Sequence, residues 1–240
     1  MTSTDIQNIL FIDIETVPIE KQFEDLDPEF QKLWSDKHHF FRDTTELTPD
    51  QSFLIKGGIY AEFGKIVCIS VGYLYEDKRK RDFRIKSFCA DNEADILKAF
   101  VAMVKKSFNT KKNNFCGHNI KEFDIPYLCR RMLVNNMEIP KILDVSGTKP
   151  WETQFIDTLQ LWKFGDYKNY TSLKLLAHLF QIQTPKDDME GKDVASVYWQ
   201  QNDLNRISIY CQKDVLTTAQ LFFKFNRIPL LLENEVTFLK

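Results

Sequence analysis

Apolar residues fall mainly into short continuous runs early in the chain and into helical stripes later. The run at residues 64–74 is almost wholly apolar, which is typical of a central β-strand covered on both faces. Residues 91–108 space their apolar side chains three and four positions apart, which predicts an amphipathic helix capped by Asp91. By the same criteria we predict strands at residues 8–16, 64–74, 83–88, 114–117 and 155–162, and helices at residues 91–108, 126–135, 172–180, 194–201 and 204–225.

The order of these elements predicts the class of the fold. Strands come early and alternate with helices, and helices finish the chain. This order is typical of an α/β protein. The strands at residues 64–74 and 83–88 flank a charged run, residues 76–82, which we interpret as a solvated hairpin turn in preference to a basic nucleic-acid patch. A hairpin pairs antiparallel strands, so we expect a mixed sheet.

The first predicted strand ends in two acids, Asp13 and Glu15. Residues two apart on a strand point to the same face, so the two carboxylates lie side by side. Burying two neighbouring carboxylates without a partner is costly. A divalent cation that prefers oxygen ligands, magnesium or manganese, would remove that cost. The alternative is a frayed strand end at which both acids face water, and the pair alone does not decide between them.

A third acid, Asp124, precedes the predicted helix at residues 126–135, which has Pro126 in its first turn. The helix N-terminus favours the charged form of a carboxylate, so Asp124 is a candidate metal or water ligand, with a plain helix cap as the alternative. We expect Glu122 to be exposed. For His118 we favour a structural hydrogen bond, then a polar contact with substrate, over a role as metal ligand or acid, because no second histidine lies nearby.

Tyr210 and Asp214 stand four residues apart in the last predicted helix, so they share one helix face. We predict that this helix packs against the core through its apolar residues Ile207, Ile209, Leu216 and Leu221. A phenol and an acid on that inner side need polar partners, whereas a surface Tyr–Asp pair is the alternative. Asp157 lies inside an apolar run, and we expect it to cap a helix or accept backbone hydrogen bonds near the site.

The composition fits one folded unit. The chain has 240 residues, of which 43% are hydrophobic and 28% charged, enough apolar mass for a full core. No linker rich in proline, glycine or serine divides it, so we predict a single domain over residues 1–240. Residues 20–60 are the least patterned stretch and predict a partly helical insertion, with Asp27 capping one helix. The insertion either covers the site or is a packed surface excursion.

Net charge and cysteine content limit how the protein can bind a partner and indicate the compartment in which it works. A net charge of −2 does not favour binding of nucleic acid by bulk electrostatics, so any such contact is local and involves few phosphates. The five cysteines form no C-x-x-C pair, which predicts buried free thiols in a reduced, cytoplasmic setting with neither zinc nor a disulfide framework. No segment has the pattern of a signal peptide or a membrane span.

The candidate residues fall, in chain order, into three motifs: Asp13-x-Glu15, Asn119-x-x-x-Phe123-Asp124 and Tyr210-x-x-x-Asp214. These motifs resemble those of the DEDD 3′–5′ exonucleases. The tyrosine places the chain with the tyrosine subgroup (DEDDy), since the histidine subgroup carries histidine where Ile209 stands. The chain is most similar to the stand-alone predicted exonucleases related to the proofreading domain of family B DNA polymerases. The resemblance covers roughly residues 8–225 and is weakest over residues 20–60. It is supported by short sequence segments at residues 64–67, 172–176, 185–189 and 191–194.

The resemblance implies a ribonuclease-H-like fold, with a five-stranded mixed sheet flanked by helices. It also implies two divalent cations, Mg²⁺ or Mn²⁺. Asp13, Glu15 and Asp214 would hold the first cation, and Asp13 and Asp124 would meet the second. Tyr210 would orient the attacking water. No strong protein base is then required, because bound metal lowers the pKa of water.

The resemblance further implies contacts with the substrate. Thr16 and Val17 would contact the 3′-terminal nucleotide. Asn119 and Phe123 would line its sugar and base, with core packing as the alternative for Phe123. Three lysines either meet phosphates or are simply solvated: Lys174, Lys186 and Lys192.

We therefore predict a metal-dependent 3′–5′ exonuclease that releases nucleoside 5′-monophosphates from single-stranded 3′ ends, with DNA favoured over RNA and no membrane association. The alternatives are an exoribonuclease with the same site and an inactive, nucleic-acid-binding adapter. The presence of all four acids and of Tyr210 disfavours the adapter. A phosphatase acting on small phosphoesters is not favoured, because no phosphate-binding loop is evident.

Overall fold

The computed structural model describes residues 6–41, 46–77, 80–166, 170–183 and 189–239. Within these residues the strands are β1 (Ile9–Pro18), β2 (Gly64–Glu76), β3 (Arg81–Cys89), β4 (Asn114–Gly117), β5 (Ile156–Asp157) and β6 (Val236–Leu239). The helices are α1 (Pro28–His38), α2 (Pro49–Lys56), α3 (Glu93–Ser107), α4 (Asp124–Val134), α5 (Thr158–Lys163), α6 (Leu173–Leu179), α7 (Val194–Ser196) and α8 (Leu204–Phe225). A π-helical turn, Val197–Gln201, follows α7 directly.

The described strands form one sheet of order β5-β4-β1-β2-β3-β6. β2 runs antiparallel to both β1 and β3, whereas β4, β5 and β6 each run parallel to their neighbour. The α/β class, the mixed sheet and the hairpin between β2 and β3 are therefore confirmed. The turn of that hairpin is closed by Asp77, whose N–H donates to the Lys80 carbonyl at 2.9 Å, and Lys78 and Arg79 lie outside the described residues.

The expectation of five strands is wrong, because the described residues contain six. The additional strand is β6, which pairs with Phe83–Lys86 of β3. The resemblance to known exonucleases extends only to about residue 225, whereas the short β-branched and aromatic run at Val236–Leu239 supplies strand propensity beyond it. The strand predicted at residues 155–162 is also shorter than expected. Asp157 caps α5 there, so only Ile156–Asp157 remains extended.

Alternation along β1 divides its side chains between two layers of helices. Leu10, Ile12 and Ile14 pack on the α3 and α4 side. Phe11 packs on the α8 side, where its ring meets Phe222 edge-on at 5.7 Å between centroids. Because period-two alternation continues along the strand, Asp13 and Glu15 share the α8 side with Phe11.

Residues 20–60 fold around Trp34, which is fully buried and donates its indole N–H to the Pro49 carbonyl at 2.8 Å. The prediction of a partly helical insertion is confirmed, and Asp27 caps α1 through the Glu29 and Phe30 N–H groups, both at 3.0 Å. Residues 42–45 of this stretch lie outside the described part of the chain.

The insertion is tied to the site end of β1 by its last turn, Gly57–Ile59. The Tyr127 hydroxyl donates to the Gly58 carbonyl at 2.9 Å. A Cβ on Gly58 would lie 3.0 Å from the Val17 backbone, so this close approach requires glycine. The insertion is therefore packed against the strand that carries the first acids.

The cysteines differ from the expectation. Cys68 and Cys89 face each other across β2 and β3 and form a disulfide, with Cα atoms 4.3 Å apart, so the prediction of free thiols is wrong for this pair. Strand register creates the pairing, and register is not visible in the spacing of the cysteines. Cys116 and Cys211 are buried free thiols, and Cys129 is half-buried.

No helix in the described part of the chain is both long and apolar enough to cross a bilayer.

Candidate active site

Four acids from three elements meet beside β1. The pKa of Asp13 is raised well above its ordinary value, first by burial and then by the charges of Asp214 and Asp124. The pKa of Glu15 is raised by burial and by Asp13, Asp214 and Asp124 in turn. Each of the two strand acids therefore lies within the electrostatic field of the other three. The structure brings together all four of the acids that the motifs predicted.

The local course of β1 explains why these acids have room to meet. β1 pairs with β4 only over Ile9–Phe11, so its edge beyond Phe11 is not covered by β4. The N-terminus of α4 occupies this gap, and the Asp124 carboxylate accepts a hydrogen bond from the Ile14 N–H. On the other edge, the register with β2 shifts between Glu15 and Thr16, which marks a bulge beside the acids.

Asp124 is almost fully buried at the first turn of α4. Its pKa is raised to about 7, mainly by burial and to a smaller extent by the charge of Asp157, although the backbone hydrogen bonds from Asp124 itself and Ile14 act to lower it. Burial thus outweighs the helix N-terminus, which by itself favours the charged carboxylate. The neighbouring Glu122 is exposed, as predicted.

Tyr210 approaches the acids from α8. Its phenol donates a hydrogen bond to Asp214, one helical turn along. Burial raises the pKa of Tyr210 well above its ordinary value, and the charges of Asp214, Glu15 and Asp13 add to the shift. The phenol is therefore neutral across the physiological pH range.

The prediction that α8 packs against the core is confirmed at Ile207 and Leu221, which are fully buried. Leu216 is half-buried, whereas Ile209 is exposed and its assignment to the packed side is wrong. Helical spacing explains the exposure, because Ile209 lies two residues from Ile207 and so projects from a different side of the helix.

A thiol that the motifs did not predict lies against the first acid. Cys211 is fully buried, and its Sγ lies 3.4 Å from both the backbone oxygen and Oδ2 of Asp13. Burial raises the pKa of Cys211 well above its ordinary value, so the neutral thiol donates to Asp13. The signal that identifies it is the buried stripe of α8, in which Ile207, Cys211 and Val215 follow one another at four-residue intervals.

Asp157 holds the loop between β4 and α4. Its carboxylate accepts the N–H groups of Asn119 at 3.0 Å and Lys121 at 3.2 Å, and it caps α5 through Leu159 at 2.9 Å. Asn119 has a φ of 67°, a left-handed conformation that asparagine tolerates better than most residues. The predicted support role of Asp157 is confirmed.

His118 makes two hydrogen bonds of its own. Its Nε2 lies 2.9 Å from the Thr171 carbonyl and its Nδ1 lies 2.9 Å from the Thr158 hydroxyl. Burial lowers the pKa of His118, which favours the neutral ring. Since a carbonyl only accepts, Nε2–H donates to Thr171, and the favoured structural role of His118 is confirmed.

The predicted substrate contacts differ in exposure. Thr16, Asn119 and Phe123 are half-buried, and the Phe123 ring packs on Tyr127 with 5.4 Å between centroids. Val17 is fully buried. Any contact of Val17 with a nucleotide must therefore use its backbone.

The predicted phosphate-binding lysines are already paired where they are described. Lys174 and Lys192 form ion pairs with Glu190 at 2.7 and 3.0 Å. These pairs lower the pKa of Glu190 to about 2. Lys186, with the rest of residues 184–188, lies outside the described residues.

The chemistry of the donor set suits a hard divalent cation. Ligand atoms of Asp13, Glu15 and Cys211 lie within 4.8 Å of one another, and Asp124 and Asp214 add negative charge. Buried carboxylates with raised pKa values are destabilised in their charged form, and a bound cation with a preference for oxygen relieves that destabilisation.

This chain matches a protein family, a DNA polymerase sequence and a DNA polymerase structure. Residues 59–237 match a family described as a predicted 3′–5′ exonuclease related to the exonuclease domain of PolB. A DNA polymerase of Red sea bream iridovirus is 25% identical over 182 residues, covering 67% of this chain and 19% of the polymerase. The chain thus spans about a fifth of that relative.

A family B DNA polymerase of the archaeon Pyrobaculum calidifontis is 17% identical, with a TM-score of 0.48 over 88% of this chain and 24% of the polymerase. The family match includes Asp124, Tyr210 and Asp214 and begins after β1. It covers most of the 240 residues, so the chain belongs to the family of predicted 3′–5′ exonucleases related to the exonuclease domain of PolB.

Proposed function

We propose that this enzyme is a metal-dependent 3′–5′ exonuclease that removes nucleoside 5′-monophosphates from single-stranded 3′ ends, with DNA as the favoured substrate. The observation that carries the proposal is the convergence of Asp13, Glu15, Asp124 and Asp214 beside the neutral phenol of Tyr210. Such a set suits a metal-dependent nuclease, because several carboxylates can hold cations while a phenol positions water.

The proposal includes the tyrosine subgroup and the ribonuclease-H-like fold. The hydrogen bond from Tyr210 to Asp214 supports the subgroup. Ile209, where the histidine subgroup would carry its histidine, is exposed. The mixed sheet with its acid-bearing central strand supports the fold, and we assign residues 1–240 to one exonuclease domain.

Asp13, Glu15 and Asp214 would hold the first cation, and Asp13 and Asp124 the second, with Mg²⁺ and Mn²⁺ as the candidates. When bound, such cations activate water and stabilise the charge that develops on the phosphodiester. Tyr210 orients the water through its hydroxyl, and Asp157 keeps the loop before Asp124 in place. Cys211 holds the Asp13 carboxylate from the buried side.

The 3′-terminal nucleotide would lie between the bulge at Thr16 and the loop that carries Asn119 and Phe123. DNA is favoured because the family is defined by its relation to PolB and because the viral relative is a DNA polymerase. The net charge of −2 agrees with a protein that holds one strand end through few phosphates. An exoribonuclease with the same site is the second candidate.

Single-turnover digestion of 5′-labelled and 3′-labelled DNA and RNA oligonucleotides, with and without Mn²⁺, tests the proposal. We expect a ladder that shortens from the 3′ end of DNA and releases labelled nucleoside 5′-monophosphate. Asp13→Ala and Asp214→Ala should abolish the ladder while the circular dichroism spectrum is kept. Glu122→Gln, at the exposed acid two residues before Asp124, is the matched control and should digest normally.

Full activity in either alanine variant would overturn the site assignment. Binding of single strands without shortening, with either metal, would instead identify the protein as an adapter.

A further inference from the structure

Tyr170 is an exposed aromatic residue that belongs to none of the three motifs and lies beside the acids. The residue is 66% exposed. Its ring packs edge-on against His118, with 6.3 Å between centroids. His118 directly precedes Asn119, so Tyr170 stands at the rim of the loop that leads to Asp124.

The position of Tyr170 is fixed by its backbone neighbour. The Thr171 carbonyl accepts the His118 Nε2–H at 2.9 Å, and His118 is held in turn by Thr158 at 2.9 Å. The segment that carries Tyr170 is therefore joined to the same loop that Asp157 holds. These hydrogen bonds hold the backbone next to Tyr170, so its exposed ring faces solvent from a defined position.

Tyr170 and Tyr210 come from different elements. Tyr210 belongs to α8, whereas the Tyr170 ring contacts His118 in the segment that leads to α4. Partial burial raises the pKa of Tyr170, and the charges of Asp124, Asp157, Asp13 and Asp214 raise it further, in that order. Tyr170 therefore lies within the electrostatic field of the acids.

A negatively charged site on a protein with a net charge of −2 cannot attract a polyanion by bulk electrostatics. Uncharged contacts must supply much of the affinity. Stacking of a base on an aromatic ring meets this need, because it depends little on charge and tolerates any base.

We propose that the ring of Tyr170 stacks on a base within two nucleotides of the 3′ end of the bound strand. This inference rests on the proposed function, because it needs a single strand whose 3′ end enters the acid cluster. The contact comes from the face of the ring. The hydroxyl is not required for it.

The test compares Tyr170→Ala, Tyr170→Phe and Tyr75→Ala. Tyr75 is a matched control, because it is also exposed but lies seven residues along β2 from Cys68, the partner of Glu15, which is roughly 23 Å. Binding is measured with Ca²⁺, whose looser geometry differs from that of Mg²⁺, on oligonucleotides that carry 2-aminopurine at the last or the penultimate position. KM and kcat are measured with Mn²⁺.

We expect Tyr170→Ala to weaken binding and to raise KM about tenfold, to change kcat less than threefold, and to lose the quenching of 2-aminopurine. Tyr170→Phe and Tyr75→Ala should stay within about twofold of wild type, because both retain the Tyr170 ring face.

Wild-type affinity in Tyr170→Ala would overturn the inference, and so would a loss in Tyr170→Phe as large as in Tyr170→Ala, which would indicate a hydroxyl contact. If wild type shortens the strand while Tyr170→Ala behaves normally, only this inference fails. If wild type neither binds nor shortens any strand, the proposed function fails with it.

Discussion

The carboxylate of Asp157 accepts the backbone N–H of Asn119 at 3.0 Å, across 38 residues of chain. The same carboxylate accepts the Lys121 N–H and caps α5. One buried acid therefore fixes both the loop before Asp124 and the helix that follows β5. The geometry of the acids depends on a residue that ligates nothing in the proposed site.

Asp157→Ala should harm both stability and activity. Loss of a helix cap costs about 1 kcal/mol, and leaving loop N–H groups without a partner costs about 1–3 kcal/mol more, so we expect roughly 3 kcal/mol less free energy of unfolding. Cleavage should slow at least about tenfold because the loop is released. Asp27→Ala removes the exposed cap of α1 and should cost only about 1 kcal/mol, with cleavage unchanged. Urea denaturation and single-turnover cleavage measure both effects, and equal losses of activity would contradict the role of Asp157.

Asp13→Asn should abolish cleavage yet stabilise the metal-free protein at pH 8. Burial and the neighbouring charges of Asp214 and Asp124 raise the pKa of Asp13, so its charged form is destabilising without a cation. Removing that charge should raise the melting temperature in EDTA and remove the gain from Mn²⁺. Glu122→Gln changes the net charge equally at an exposed position and should leave both temperatures unchanged. A lower melting temperature for Asp13→Asn in EDTA would contradict the inference that the charged Asp13 carboxylate destabilises the metal-free protein.

The stability of the metal-free protein should fall as pH rises from about 4 to about 7. The folded protein holds the pKa of Asp124 at about 7 against an ordinary value of 3.8, so in this range it keeps a proton that the unfolded chain has lost. The state that binds more protons is favoured at low pH, so the free energy of unfolding decreases as pH rises. Asp13 and Glu15 shift in the same direction.

Cations compete with those protons, so Mn²⁺ should raise the melting temperature more at pH 8 than at pH 5. Thermal melts in EDTA and in Mn²⁺ over this range measure the effect, and Asp124→Asn should flatten part of the slope. A melting temperature in EDTA that is flat or rises from pH 5 to pH 8 would contradict the coupling.

Tyr210→Phe should slow cleavage about tenfold, the effect of one positioning hydrogen bond, and should leave KM nearly unchanged. The substitution keeps the ring and removes only the hydroxyl that donates to Asp214. Tyr198→Phe is a suitable control, because the Tyr198 hydroxyl donates instead to Asp91 at 3.0 Å. Single-turnover rates at several substrate concentrations separate the two constants, and a rise in KM alone would assign Tyr210 to binding.

Cys211→Ala should weaken Mn²⁺ binding several-fold more than Cys211→Ser does. Serine keeps a donor for the Asp13 carboxylate, which the thiol now contacts at 3.4 Å, whereas alanine leaves that side of Asp13 without one. Cys116→Ala provides the matched loss of a buried thiol on β4 and should leave Mn²⁺ affinity unchanged. Calorimetric titration with Mn²⁺ distinguishes these cases, and equal affinities for the alanine and serine variants would remove Cys211 from the site.

The acids were predictable because each follows a local rule. Asp13 and Glu15 share a face by strand alternation, Tyr210 and Asp214 by helical spacing, and Asp124 stands just ahead of Pro126. These rules depend only on the spacing of a few nearby residues, so they can be applied without knowledge of the tertiary structure.

What was not predictable depends on how distant elements align. Cys211 touches Asp13 only because α8 crosses β1 in one register, and Cys68 faces Cys89 only because β2 and β3 pair as they do. β6 joins the sheet because β3 offers it a free edge, and the sequence of β6 alone does not indicate which strand it pairs with. The sequence also overstated the helix N-terminus at Asp124, because it does not show how completely that carboxylate is buried.

The contact between Cys211 and Asp13 closes a loop of 198 residues. Long-range closures form late and slowly, because their entropy must be overcome before the contact contributes. A growing chain on the ribosome therefore displays Asp13 and Glu15 long before α8 exists to complete the cluster. The proposed site is complete only in the finished fold, because Tyr210 and Asp214 both lie in α8. We expect an amino-terminal product of synthesis or proteolysis that lacks α8 to be unable to degrade a strand by the proposed chemistry.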